Sequence, residues 1–173
     1  MSARLPVHID PIRFADTCRS IEGSMPLLGM DRLANSLSSA DSSVEIALDF
    51  GLGERGFRIM DLSIRGSLQL VCQRCLGTVD WPLTINSVVA LVRTEAQIER
   101  LPDHYEPLLV EPQPMQLMAI VEDEILLALP VVAFHPEEQC QLAHAIDNRP
   151  LPKEEEPRQF AALAQLKDQL KKR

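Results

Sequence analysis

Between residues 62 and 92, apolar and polar positions alternate in two runs joined by Cys72-Gln73-Arg74-Cys75. In the first run Leu62, Ile64, Leu68, Leu70 and Cys72 take even positions, with Arg65, Ser67 and Gln69 between them. In the second, Val79, Trp81, Leu83, Ile85, Val89 and Leu91 take odd positions, with Asp80, Thr84 and Asn86 opposite. A period of two sends each set to one side of a strand. The runs therefore predict a long β-hairpin whose two apolar faces lie on the same side. Upstream, Val44, Ile46, Leu48 and Phe50 alternate with Glu45, Ala47 and Asp49, a strand with one wet face. A turn over 51–54 leads into the strand that becomes the hairpin, and shorter strands are expected over 4–9 and 21–27.

Helical signals are fewer. Asp10 before Pro11 is a start signal, a capping acceptor followed by the position where a missing amide costs nothing. A short helix is expected over 30–37, closed by a serine-rich loop, and another over 94–101, stopped by Pro102. The strongest helical pattern runs over 115–129. Leu117, Met118, Val121, Ile125, Ala128 and Leu129 share a face, Asp123 lies opposite, and Glu122 and Glu124 flank it. Pro157 opens a last helix with a narrow stripe of Phe160, Leu163, Leu166 and Leu170, and cations in its final turns suit the helix dipole.

These elements predict an α+β fold: an antiparallel, curved sheet of five or six strands built around the hairpin, covered by one long amphipathic helix, with short terminal helices. Residues 1–135 form a single domain, 136–156 a polar acidic linker, and 157–173 a basic amphipathic helix.

Composition narrows the chemistry. A 46% apolar content supports a real core, but aromatics are only 4%, too few for base-stacking platforms. The apolar run 125–134 is too short to span a bilayer, so no membrane partner is expected. Four cysteines without an apolar leader point to reduced thiols in the cytoplasm. The net charge of −8 is unevenly placed. Residues 94–155 hold three basic and thirteen acidic side chains, whereas 156–173 hold five basic and two acidic. Adhesion to phosphate needs clustered cations, so nucleic-acid contact must use local basic faces, and DNA is not an expected partner. Arg65, Arg74 and Arg93 on the hairpin, and Lys167, Lys171 and Lys172 in the tail, are the candidate RNA contacts. Glu122, Asp123 and Glu124 are either a solvated helix edge or a surface for a basic partner.

No P-loop, dinucleotide fingerprint, Gly-x-Ser-x-Gly or His-Glu-x-x-His occurs, and no serine or histidine is placed as nucleophile and base, which disfavours an enzyme. The Cys72/Cys75 pair leaves three readings open. Reduced structural thiols suit the apolar position of Cys72. A structural zinc needs four ligands, and His135 and Cys140 are the available complement to Cys72 and Cys75. A redox pair is weakest, because a hairpin turn lacks the helix N-terminus that stabilises a reactive thiolate. No cofactor is demanded by the sequence, and zinc is the one it accommodates.

Several stretches together resemble a known family. They are Leu5-Pro6-Val7, Asp10-Pro11-Ile12-Arg13, Val71-Cys72-Gln73-Arg74-Cys75 and Leu101-Pro102-Asp103-His104-Tyr105-Glu106-Pro107. Val121-Glu122-Asp123-Glu124-Ile125-Leu126-Leu127-Ala128-Leu129-Pro130-Val131-Val132 and Phe160-Ala161-Ala162-Leu163-Ala164-Gln165-Leu166-Lys167 follow in the same order. The chain thus resembles the YceD family, the large ribosomal RNA subunit accumulation proteins. The resemblance implies a non-enzymatic factor promoting accumulation or processing of 23S ribosomal RNA. It would bind precursor 23S RNA or a pre-50S particle, a basic large-subunit ribosomal protein, or both; the alternative is a protein-only adaptor or chaperone whose acidic segment shields such a protein. Some relatives carry further cysteines after the Leu-Pro stretch, which fits a four-ligand metal site.

Overall fold

The computed structural model describes residues 4–140. The predicted hairpin forms as β5 (Arg58–Val71) and β6 (Thr78–Val92), paired antiparallel from Ile59↔Ala90 to Val71↔Thr78. Ile64 faces Ile85, Leu70 faces Val79 and Met60 faces Val89, so the even and odd apolar sets meet as the period requires. β4 (Ser43–Leu52) pairs antiparallel with β5, and β2 (Ser20–Pro26) with β4.

The expected fold class needs correction. The described residues are predominantly β, and the six-stranded sheet, in the order β2-β4-β5-β6-β7 with β3 (Leu37–Ser39) on β5, is mixed rather than antiparallel. β7 (Glu106–Leu109) runs parallel to β6, Val89↔Glu106 to Val92↔Leu109. A parallel neighbour needs a crossover of about a dozen residues, and residues 93–105, with α3 (Glu95–Ile98), supply it. Nor is there one long covering helix. α4 spans Leu117–Ala128, and α1 (Pro11–Asp16) and α2 (Asp31–Ala34) are shorter still.

The inner face of the sheet is covered piecemeal. Ile12 and Ala15 of α1, Leu27, Met30 and Leu33 around α2, and Leu117, Ile120, Val121 and Ile125 of α4 are all buried with Leu48, Leu62, Ile64 and Leu68. The apolar residues of 115–129 do not form one clean stripe, which is why a single helix cannot roof the sheet: Leu127 is 80% exposed. Two short strands, β1 (His8–Ile9) and β8 (Met115–Gln116), pair with each other and fix the start of α4, where the Leu117 amide donates to the Val7 carbonyl.

Asp10 caps α1 as its sequence predicts, its carboxylate accepting from the Arg13 amide at 3.0 Å. The serine-rich segment after α2 is partly the strand β3. Cys18 is exposed, just beyond α1 at φ 47°. Cys140, the last described residue, is 4% exposed and belongs to the core cluster. The rest of 136–156 and all of 157–173 lie outside the described residues.

Gly66 interrupts β5 where its partner changes from β4 to β3. A Cβ there would stand 2.9 Å from Cγ1 of the buried Val44, whose β-branched side chain has little freedom to yield. Gly66→Ala is expected to destabilise the protein by about 1–3 kcal/mol, against the usual gain from removing a strand glycine. Urea unfolding checks the sign.

Candidate metal centre and interaction surfaces

The hairpin turn closes tightly: the Cys72 amide donates to the Gly77 carbonyl and the Leu76 amide to the Cys72 carbonyl, both at 2.9 Å. Leu76 takes a left-handed backbone (φ 59°) and is 75% exposed. The segment after α4 then crosses the turn, held by the Gln73 amide on the Ala133 carbonyl at 2.9 Å.

This crossing joins Cys72, Cys75, His135 and Cys140, whose ligand atoms all lie within 4.8 Å of one another. Cys75 Sγ is 3.3 Å from His135 Nδ1, and the His135 amide donates to Cys72 Sγ at 3.4 Å. His135 Nε2 lies 2.8 Å from the Thr78 carbonyl, which can only accept. The proton is therefore on Nε2, and Nδ1 turns its lone pair toward the sulfurs, the arrangement that orients a metal-ligating imidazole.

Electrostatics separate the donors, favouring the thiolate at Cys72, the neutral thiol at Cys75 and the proton-bound imidazole at His135. Burial pushes the Cys72 thiol up, but the amides of Cys75, His135 and Arg74 outweigh it, and the thiol falls to about 5. The Gly77 amide favours the Cys75 thiolate, yet burial and the Cys72 and Cys140 sulfurs together raise that thiol. His135 is raised, first by the Cys72 sulfur and then by the Thr78 carbonyl. Two further sulfurs and a nitrogen crowded around the Cys72 thiolate make a cluster that can hold a metal ion. Four protein donors leave no open position, the signature of a structural site and not a catalytic one.

The candidate RNA contacts do not form one surface. Arg74 sits at the knuckle, its guanidinium 5.3 Å from the Phe134 ring centroid. Arg93 follows β6 at its far end, roughly 50 Å away by strand rise, with its amide on Gln97 Oε1 at 2.7 Å. Arg65 lies on the outer sheet face opposite Glu45. That face also carries the exposed Glu22, Asp49, Asp61 and Asp80. Lys167, Lys171 and Lys172 lie outside the described residues.

The three acids of α4 have separate fates. Glu122 is 7% exposed and faces inward. Its Oε1 accepts from the amides of Arg32 (2.9 Å) and Leu33 (3.1 Å), and Oε2 from the Arg32 guanidinium (2.8 Å). Glu122 thereby caps α2, whose own N-cap residue, Met30, offers no side-chain acceptor. Asp123 shares Arg32 at 2.5 Å. Glu124 is half-buried and has no ion-pair partner among the described residues. Sequence reasoning missed the Arg32–Glu122 contact, whose one local hint was an acid beside Val121 in an otherwise apolar helix.

A β-rich body whose hairpin tip is closed by a Cys3His knuckle defines a class of protein with a structural donor cluster. Its family follows from comparison with known proteins. The profile described as "Large ribosomal RNA subunit accumulation protein YceD" matches residues 60–167, and the chain belongs to that family. A Haemophilus influenzae protein named "Large ribosomal RNA subunit accumulation protein YceD" is 32% identical over 168 residues, 95% of this chain and 97% of that protein. No solved structure matches the chain.

Burial pushes the Glu122 carboxyl up, but the Leu33 amide and Arg32 outweigh it, and its pKa is lowered. The stabilisation is thus fully present above the ordinary glutamate range and is lost as pH falls through the depressed folded value. Glu122→Gln should cost about 1.5–3 kcal/mol at neutral pH. The gap from the unaltered protein should close on acidification below about pH 4, as read by urea unfolding across pH.

Proposed function

We propose that the protein is a non-enzymatic factor of large-subunit ribosome biogenesis in the cytoplasm. It promotes accumulation of 23S ribosomal RNA by binding a pre-50S component. The observation that carries this reading is end-to-end similarity to a relative named for large ribosomal RNA subunit accumulation. The closed knuckle supports a role in binding rather than turnover. Among the described residues no helix is long and apolar enough to cross a membrane.

We further propose that the knuckle holds one zinc ion. Cys72, Cys75, His135 and Cys140 are a donor set proper to structural zinc, and the Thr78 carbonyl already selects the required imidazole tautomer. Zinc would tie the segment after α4 to the hairpin tip and hold Arg74 in place. Purified protein should contain close to one equivalent of zinc by elemental analysis. Chelation should lower the thermal midpoint, as should Cys75→Ser. Metal-free protein with the same midpoint would remove zinc from the account.

The charge balance favours a protein as the main partner of the folded body. Residues 4–140 hold ten arginines, no lysine and twenty carboxylates, a field that attracts a basic ribosomal protein and opposes sequence-independent adhesion to RNA. RNA contact then falls to Arg74, over the Phe134 ring, and to the cationic tail.

The protein-only adaptor is the second reading, favoured by the place of Arg65 on an acidic face, opposite Glu45 in the strand register. Partners captured with the protein should include large-subunit precursor RNA. Arg74→Glu should lower the co-sedimenting fraction and the salt slope of binding by about one unit. Protein partners that persist undiminished after ribonuclease, with sedimentation of Arg74→Glu unchanged, would establish the adaptor instead.

A further inference from the structure

We infer that the cleft between α4, β7 and β8 is a receptor for a lysine or arginine side chain presented by a basic protein segment. This rests on the reading of the protein as a partner-binding assembly factor, and names the place and chemistry of that contact.

The cleft encloses about 350 Å³, near the lower end for specific ligand sites, and its floor is apolar, formed by Met60, Val89, Leu108 and Ile120. Every ionisable group lining it is a carboxylate: Glu111, Asp123 and Glu124. Among the described residues Arg32 pairs with acids of this helix, Glu122 and Asp123, and is thereby already engaged. Glu124 and Glu111, with the adjacent Glu106, have no ion-pair partner among the described residues. Burial, then Glu106, raises the Glu124 carboxyl despite the Ser87 hydroxyl, as expected of a half-buried acid lacking a counter-ion.

An apolar floor under an anionic rim suits few ligands. A phosphate or nucleic acid would meet three carboxylates and is repelled. A neutral apolar side chain would bury the acids without a partner, at a cost. Lysine and arginine answer both parts, because their methylene stems cover apolar surface while the charged head stays at the rim. The acidic outer sheet face has like charge but no enclosed floor. It can attract a basic partner at long range but cannot fix one side chain.

The test uses the full chain as purified and a fluorescein-labelled peptide of alternating lysine and glycine at about 0.15 M salt, where long-range attraction is screened. Glu111→Gln with Glu124→Gln should weaken binding about tenfold. The control pair Glu22→Gln with Asp80→Asn, equal in charge change but on the outer face, should alter it less than about twofold. Ala119→Leu, which fills the cleft and removes no charge, should weaken binding as the first pair does. Equal losses from both charge pairs, or normal binding by Ala119→Leu, would overturn the inference. So would stronger peptide binding after Lys167, Lys171 and Lys172 are changed to Glu, because the tail would then be the occupant. Competition by a single-stranded RNA oligonucleotide that Ala119→Leu abolishes would assign the cleft to RNA and overturn it too. Sedimentation with pre-50S particles separates this from the broader reading. Cleft variants that bind neither less peptide nor fewer particles sink the inference alone. Unaltered protein that binds peptide through the cleft but no particle sinks the broader reading alone.

Discussion

The crossing of residues 133–140 over the hairpin tip is the constraint on which most of this molecule depends. Near its tip the hairpin has a strand neighbour on one side alone, β3 beside Gln69 and Leu70 of β5, because β6 has a second neighbour only at Val89–Val92. The Gln73 amide on Ala133, His135 on Thr78 and the meeting of three sulfurs with one imidazole anchor the other end. The hairpin tip and the end of α4 are thereby held together. With β1 and β8 holding the start of α4, the helix is fixed at both ends, and its buried acid can be aimed at α2.

The fixed helix explains how neighbouring carboxylates come to do different things. Glu122 replaces a missing cap on a four-residue helix that could not persist alone. Asp123 shares the same arginine, while Glu124 looks into a cleft with no cation. In sequence they are one acidic run. In space the helix rotates them by about 100° per residue, and each meets a different environment.

Charge in the folded body is equally a matter of placement. The arginines of the hairpin suggested a positive arm, yet Arg65 stands among acids on the outer sheet face and Arg74 and Arg93 lie at opposite ends. Residues 4–140 carry twenty carboxylates against ten arginines, and Arg74 stands apart from that acid at the knuckle. Loops and edges carry the candidate contacts, while the sheet supplies the rigidity that positions them.

Local pattern by itself determined the hairpin, its register parity and the cap of α1, and it marked the Cys72/Cys75 pair without choosing between packed thiols, a metal site and a redox pair. Strand periodicity and ligand type are written in residue order, so Leu62, Ile64, Val79 and Cys72 could be placed without a structure. It did not determine that β7 runs parallel to β6, that several short segments share the cover of the sheet, or that Glu122 is internal. Those outcomes depend on contacts between residues distant in sequence, Val89 with Glu106 and, ninety positions apart, Arg32 with Glu122, whose energies no local period records. The sequence by itself decided which residues could be strand, turn or ligand. Only the tertiary structure decided which charges were buried, paired or left open, because desolvation and pairing exist only once distant segments have met.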